Sequence, residues 1–187
     1  LNKTDLAAPL GVSVPTITQW LSILEITGTI LLVPPYFESF GKRIVKSPKI
    51  YFVDSGLACH LLGIERAGEL ERSPFLGALF EGFVAAEIVK RRVNAGKRAE
   101  LYWFRDQQGL EVDFVVPKGG KRLLLVEAKA SRTVVPSDAV ALDRLAAAAR
   151  GFEVERVVVH RPGTTAAGHA IRPGTRALGV DELIALV

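Results

Sequence analysis

Glu111-Val112-Asp113-Phe114-Val115-Val116, a turn through Lys118-Gly119-Gly120, and Leu124-Leu125-Val126-Glu127-Ala128-Lys129 are the residues on which the fold is decided. Strand side chains alternate between faces, so Val112, Phe114 and Val116 are expected on one face and Glu111, Asp113 and Val115 on the other. On the second strand Leu125, Glu127 and Lys129 share a face opposite Leu124, Val126 and Ala128. A turn centred on Lys118 to Gly120 sets Asp113 opposite Leu125 and Glu111 opposite Glu127. Asp113 and Glu127 then become diagonal neighbours on one face, within reach of a common ion. The other face is apolar and reads as core.

Carboxylate oxygens on adjacent strands suit a hard cation such as Mg²⁺, which keeps several waters. Lys129, two residues beyond Glu127, emerges beside such an ion, where an amine can orient a water or steady charge on a phosphate. Asp113, Glu127 and Lys129 are therefore candidate catalytic residues for metal-assisted phosphodiester hydrolysis. Half-exposed strands of any protein also alternate polar and apolar residues, and the spacing alone leaves that reading open. Carboxylates within reach of one ion would mark a site; carboxylates splayed apart or locked to arginines would mark a relic.

Upstream of the hairpin, Glu100 to Arg105 is a further strand, and Leu76, Leu79, Phe80, Phe83, Val84 and Ile88 recur at helical intervals over Phe75 to Val93. Downstream, Pro136 to Arg150 reads as a helix stopped by Gly151, and Glu155 to His160 as a strand. The order is helix, three strands, helix, strand. After Arg161 the Gly, Pro and Thr content predicts loop until a short helix at Val180 to Val187. The N-terminal part reads differently. Ser13 is placed to cap a helix from Pro15 to Ile26, whose stripe is Ile17, Trp20, Leu21 and Leu24. Two β-like stretches follow, Thr29 to Phe37 and Ile44 to Val53, around the polar Glu38 to Arg43 segment. Helix, turn, helix and hairpin is the order of a winged helix. Asp54 to Leu62 is helical, and the charged segment Glu65 to Ser73 is read as the linker. The expected domains are residues 1–66 and 67–187.

Composition narrows the function classes. Hydrophobic residues at 49% and charged residues at 24% of 187 exclude an intrinsically disordered chain. No apolar run reaches the roughly 18–20 residues that span a bilayer, so no membrane partner is expected. The single cysteine, Cys59, cannot form an internal disulfide and reads as a small buried hydrophobe in a cytoplasmic protein. Met is absent even at position 1, and the chain is read as a fragment of a longer protein. A P-loop pattern is absent too, so this fragment cannot by itself hold ATP in a Walker-type loop, and any ATP site would lie outside it. The three histidines are too scattered for a metal set. Trp20 and Trp103 read as core. Lys90, Arg91, Arg92, Lys97, Arg98 and Arg105 stand against Glu100 alone, as a solvated helix end or as a phosphate-tracking patch beside the acidic site. The helix from Pro15 to Ile26 carries no Lys or Arg, which favours packing or protein contact over a grip on DNA.

The stretches Leu79-Phe80-Glu81-Gly82-Phe83-Val84-Ala85-Ala86-Glu87, Leu101-Tyr102-Trp103-Phe104-Arg105, Gly109-Leu110-Glu111-Val112-Asp113-Phe114 and Glu127-Ala128-Lys129 resemble the domain of unknown function 4143. That domain lies behind an AAA-type ATPase module in many prokaryotic proteins and is similar to the PD-(D/E)XK nucleases. Thr27-Gly28-Thr29-Ile30, Pro34-Pro35-Tyr36, Gly41-Lys42-Arg43 and Pro48-Lys49-Ile50-Tyr51-Phe52-Val53-Asp54-Ser55-Gly56-Leu57 match the winged-helix segment that joins the two modules. The resemblance implies an α/β (α+β) fold, a winged helix followed by a restriction-endonuclease-like core. It implies metal ligands at Asp113 and Glu127 with Glu81 as an additional acidic residue, Mg²⁺ as cofactor, and Lys129 facing water or phosphate. Arg91, Arg92, Lys97, Arg98 and Arg105 are the candidate nucleic-acid contacts. Expected partners are DNA, the ATPase module and a second copy of the chain. No Gln-x-x-x-Tyr pattern follows Lys129, where some nucleases of the superfamily carry one. A catalytically inactive interaction or oligomerisation domain is the rival reading, and a winged-helix DNA binder the third.

Overall fold

The computed structural model describes residues 1–36, 45–163 and 169–187. Gly41, Lys42 and Arg43, with the polar segment between the two N-terminal β-like stretches, lie outside the described residues. Seven α-helices and two sheets are present among the described residues, a mixed α/β architecture. Helices α1 (Lys3–Leu10) and α2 (Val14–Ile26) are followed by β1 (Ile30–Val33) and β2 (Lys49–Phe52), which pair antiparallel. Ser13 caps α2 through the amide of Thr16, as its position predicts. Only Ile17 and Leu21 of the expected α2 stripe are buried; Trp20 and Leu24 are exposed, because the small cluster of Ala7, Ile17, Leu21 and Ile30 covers a narrower face than the stripe offers.

The expected linker is instead structured. Beyond α3 (Ser55–Leu61), capped by Asp54, residues 67–72 form α4 (Ala67–Arg72). Its first turn is fixed by Glu69, whose carboxylate accepts the amides of Glu65 and Arg66. Glu71 on the same helix pairs with Arg132 at 2.9 Å and with Arg161, which fastens α4 to the C-terminal half. A composition of charged residues reads as linker, yet Ala, Leu, Glu and Arg are all good helix formers.

The main sheet has six strands in the order β3 (Tyr102–Arg105), β4 (Glu111–Pro117), β5 (Arg122–Lys129), β6 (Glu153–His160), β8 (Thr175–Leu178) and β7 (Ala170–Arg172). The segment expected to be loop after Arg161 thus supplies two strands, and β8 lies parallel to β6 inside the sheet. Three- and four-residue strands around a Pro173-Gly174 turn are too short to show a period. Helices α5 (Leu76–Asn94) and α7 (Val180–Leu186) cover one face, where Phe80, Val84 and Ile88 pack on Phe114, Val126 and Val159. The 3₁₀ turn Pro136–Ala139 and α6 (Val140–Ala148) cover the other, where Leu142 and Leu145 pack on Val112, Val115 and Leu125. Buried apolar residues on both faces are the mark of a strand with helices on either side. The N-terminal hairpin is joined to the sheet edge. Tyr36 donates its amide to the Trp103 carbonyl at 2.7 Å, and Val45 donates to Arg105 at 2.9 Å.

Two features of the central hairpin correct the expected register. Val115, not Asp113, faces Leu125, because the turn closes between Lys118 and Arg122 with Gly119 and Gly120 both at positive φ. In addition β4 is bulged. Tyr102 pairs with Val115 and Phe104 with Val112, so Asp113 and Phe114 together oppose Trp103. The extra residue turns Val112 toward α6 while Phe114 and Val116 point toward α5. Asp113 therefore lies on the same side as Phe114, against the simple alternation. The expectation that Asp113 shares a face with Glu111 and Val115, opposite Phe114, is therefore wrong.

Candidate functional site

The ladder between β4 and β5 ends at Phe114 and Val126, and the strands fork beyond it. Asp113 sits in this fork with about a tenth of its surface exposed. Its Oδ2 accepts the Ala128 amide at 3.0 Å, and its Oδ1 accepts from the Lys49 ammonium at 3.2 Å. Glu127 and Lys129 continue the β5 face of Leu123 and Leu125. Lys129 Nζ lies 2.8 Å from Glu127 Oε1, and Glu127 Oε2 is buried without a hydrogen-bond partner among the described residues. Asp113 and Glu127 thus meet across an open strand end, not as diagonal neighbours on one face.

Lys49 and Tyr51 come from β2, in the N-terminal hairpin. The Lys49 ammonium lies 2.8 Å from Glu81 on α5, 2.8 Å from Glu111 and 5.1 Å from the Trp103 ring centre. The Tyr51 hydroxyl donates to the same Glu81 oxygen. Sequence reasoning missed Lys49, Tyr51 and the bonded role of Glu111. The available signal is an inverted strand: on β2 the polar Lys49 and Tyr51 turn inward while Ile50 and Phe52 turn outward.

The electrostatics follow from burial and crowding. Burial raises Asp113 above the ordinary carboxylate range and the Glu81 charge adds to it, opposed by Lys49 and by the Ala128 amide. Burial, then the Asp113 charge, pushes Glu127 up to about 7 against the pull of Lys129. Burial alone would lower Lys49, but the Asp113 and Glu81 charges outweigh it and hold the ammonium above its usual value. Burial and Glu81 likewise raise the Tyr51 phenol, and Glu127 raises Lys129 despite its partial burial.

Glu81 is brought to the cluster through Lys49 and Tyr51. Among the described residues no three His, Cys, Asp or Glu side chains form a metal-binding group. The basic residues do not gather at the fork. Arg92 is buried, donating to the carbonyls of Arg98 and Pro117 and to Glu100 Oε2, so it braces the structure. Lys97 donates to the Val187 carbonyl. Eleven residues of helix separate Arg92 from Glu81, about 16 Å, which places Arg91, Arg92, Lys97 and Arg98 toward the hairpin end, away from the acids. Arg105 alone of the five stands beside the cluster, 3.5 Å from Glu111. Trp103 is buried as expected, while Cys59 is only half-buried.

Fold and fork together define a mixed α/β protein with an acidic centre at the splayed end of its central hairpin. Residues 76–179, more than half of the chain, match the family described as "Domain of unknown function (DUF4143)", and the chain belongs to that family. Residues 1–68 match a second, described as "Domain of unknown function (DUF8612)". Among curated proteins the chain is similar to the uncharacterized proteins Rv2008c of Mycobacterium tuberculosis and Mb2031c of Mycobacterium bovis. Each is 37% identical over 120 residues, which is 64% of this chain and 26% of the relative. The match thus spans about a quarter of the length of these relatives. No solved structure matches the chain. No helix among the described residues is long and apolar enough to cross a membrane.

Proposed function

We propose that this chain carries a divalent-cation centre for phosphodiester hydrolysis of DNA, on a PD-(D/E)XK-like core at residues 67–187 behind a winged helix at residues 1–66. The parent protein, in this reading, adds an AAA-type ATPase module. The observation that carries the proposal is the fork, which gathers Asp113, Glu127 and Lys129 at one strand end. The donors are carboxylate oxygens, which suit Mg²⁺ or Mn²⁺. Glu127 Oε2, buried and unpartnered, has the unmet need for a cation or proton that such a site presents. Asp113 and Glu127 would hold the ion, with Glu81 standing behind Lys49.

When bound, the ion supplies charge neutralisation for the phosphate and a more acidic water. Lys129, fixed by Glu127, holds positive charge where a nucleophile or developing anion needs it. Arg105, half-exposed and 3.5 Å from Glu111, would meet a phosphate backbone in this reading. The test is cleavage of linear and branched DNA with Mg²⁺ or Mn²⁺, by this chain and by the full parent. Asp113→Ala is expected to abolish cutting and metal binding. Lys129→Ala is expected to keep metal affinity and lose turnover by roughly 10²- to 10³-fold. Failure of both proteins to cut any substrate would count against the proposal.

A non-catalytic interaction domain is the second reading. It is favoured by the ammonium that holds Asp113 and Glu111, and by apolar surface. Trp20, Ile23 and Ile26 of α2 are exposed, and Ile50 and Phe52 line an apolar groove with Phe75 and Phe83.

A further inference from the structure

We infer that Lys49 is a resident cation that occupies the Asp113 carboxylate until a divalent ion displaces it, so that the N-terminal hairpin sets the metal affinity of the fork. The inference rests on the metal reading above. Both Asp113 oxygens are engaged: Oδ2 by the Ala128 amide and Oδ1 by Lys49. An ion that binds Asp113 directly has to share or vacate one of these contacts. The amide is fixed in a β-strand and cannot leave. The ammonium can, because it sits at the end of a four-carbon stem and its two shorter contacts, to Glu81 and Glu111, retain it when the Asp113 contact opens. Two cations drawn to one carboxylate repel each other, so each weakens the other's hold. Lys49 lies in residues 1–68, which match the second family, whereas Glu81, Glu111 and Asp113 lie in residues 76–179, which match the first, and the centre is composite across the two.

The test is calorimetric titration of Mn²⁺ into the wild type, Lys49→Met, which removes the charge and keeps the stem, and Lys49→Arg, which keeps the charge. Lys49→Met is expected to bind about tenfold or more tightly and Lys49→Arg no better than the wild type. Equal or weaker binding by Lys49→Met, with wild-type binding intact, would make Lys49 a permanent latch and overturn the inference alone. Absence of binding in both would overturn the metal reading and this inference with it. The wild type gives the answer without any variant: Mg²⁺ titration should shift the Lys49 side-chain NMR resonances in step with the calorimetric saturation. Resonances that stay still at saturation would refute displacement.

Discussion

Glu127 is held up to about 7 from an ordinary 4.5 by burial and by the Asp113 charge, and this makes it the residue whose titration is visible in stability. Between those values the folded state binds a proton that the unfolded state has lost. Metal-free stability should therefore be greatest below about pH 4.5 as far as this group is concerned, and fall as pH rises to about 7, by on the order of 3 kcal/mol. Thermal melts over this range in chelator should show the fall, Glu127→Gln should reduce it to what the raised Asp113 carboxyl contributes, and saturating Mn²⁺ should flatten it. Arg92 obeys a different logic. Its removal takes a donor from the Pro117 carbonyl and from Glu100, while the Arg98 carbonyl keeps the Glu100 amide at 2.8 Å, so Arg92→Ala should cost about 2–4 kcal/mol in a denaturant melt. Arg91→Ala, beside it in sequence, should cost under about 0.5 kcal/mol. The two are alike as letters, and only the turn of α5 separates a brace from a surface charge.

At the scale of elements the site depends on how α5 and β2 approach. Gly82 of α5 faces the Tyr51 ring of β2. A Cβ there would meet the Tyr51 ring at 3.4 Å, an ordinary contact at the tight end, while anything longer would push β2 away. Gly82→Ala should be neutral or slightly stabilising, the gain in helix propensity offsetting the contact. Gly82→Leu should destabilise by about 1–3 kcal/mol through overpacking and should loosen Tyr51 from Glu81. A Leu variant that melts like the wild type would show that β2 is not held where it lies. Periodicity reveals elements that are long and half-buried: α2, α5, β4, β5 and β6 were legible within a few residues. It fails at β7 and β8, which are shorter than one readable repeat, and at α4, where charge masked helix-forming residues. The bulge at Asp113 and Phe114 was illegible for a plainer reason. An extra residue in one strand has no signature in that strand alone, since it is defined by what Tyr102, Trp103 and Phe104 pair with. Asp113 and Lys129 nonetheless both lie beside the end of β5, Asp113 on the Ala128 amide and Lys129 on Glu127, because their order along the chain does not depend on which face they take.

At the scale of the molecule, the N-terminal hairpin is a wall of the acidic centre as well as a neighbour to it. Lys49 and Tyr51 reach Glu81, Glu111 and Asp113 from β2, while Tyr36 and Val45 bond the same segment to the edge strand β3. No sequence rule announces such a joint, because these side-chain partners lie 30 to 64 residues apart and belong to segments with different periodicities. The central claim is that this joint encloses a divalent-cation centre. Its most direct test is calorimetric titration of Mn²⁺ into the whole chain near pH 7.5, repeated on Asp113→Ala. The account predicts a saturable site in the wild type, with binding lost in the variant, since a single remaining carboxylate cannot hold a strongly hydrated ion against bulk water. Equal heats in the two proteins, or none in either, would contradict it.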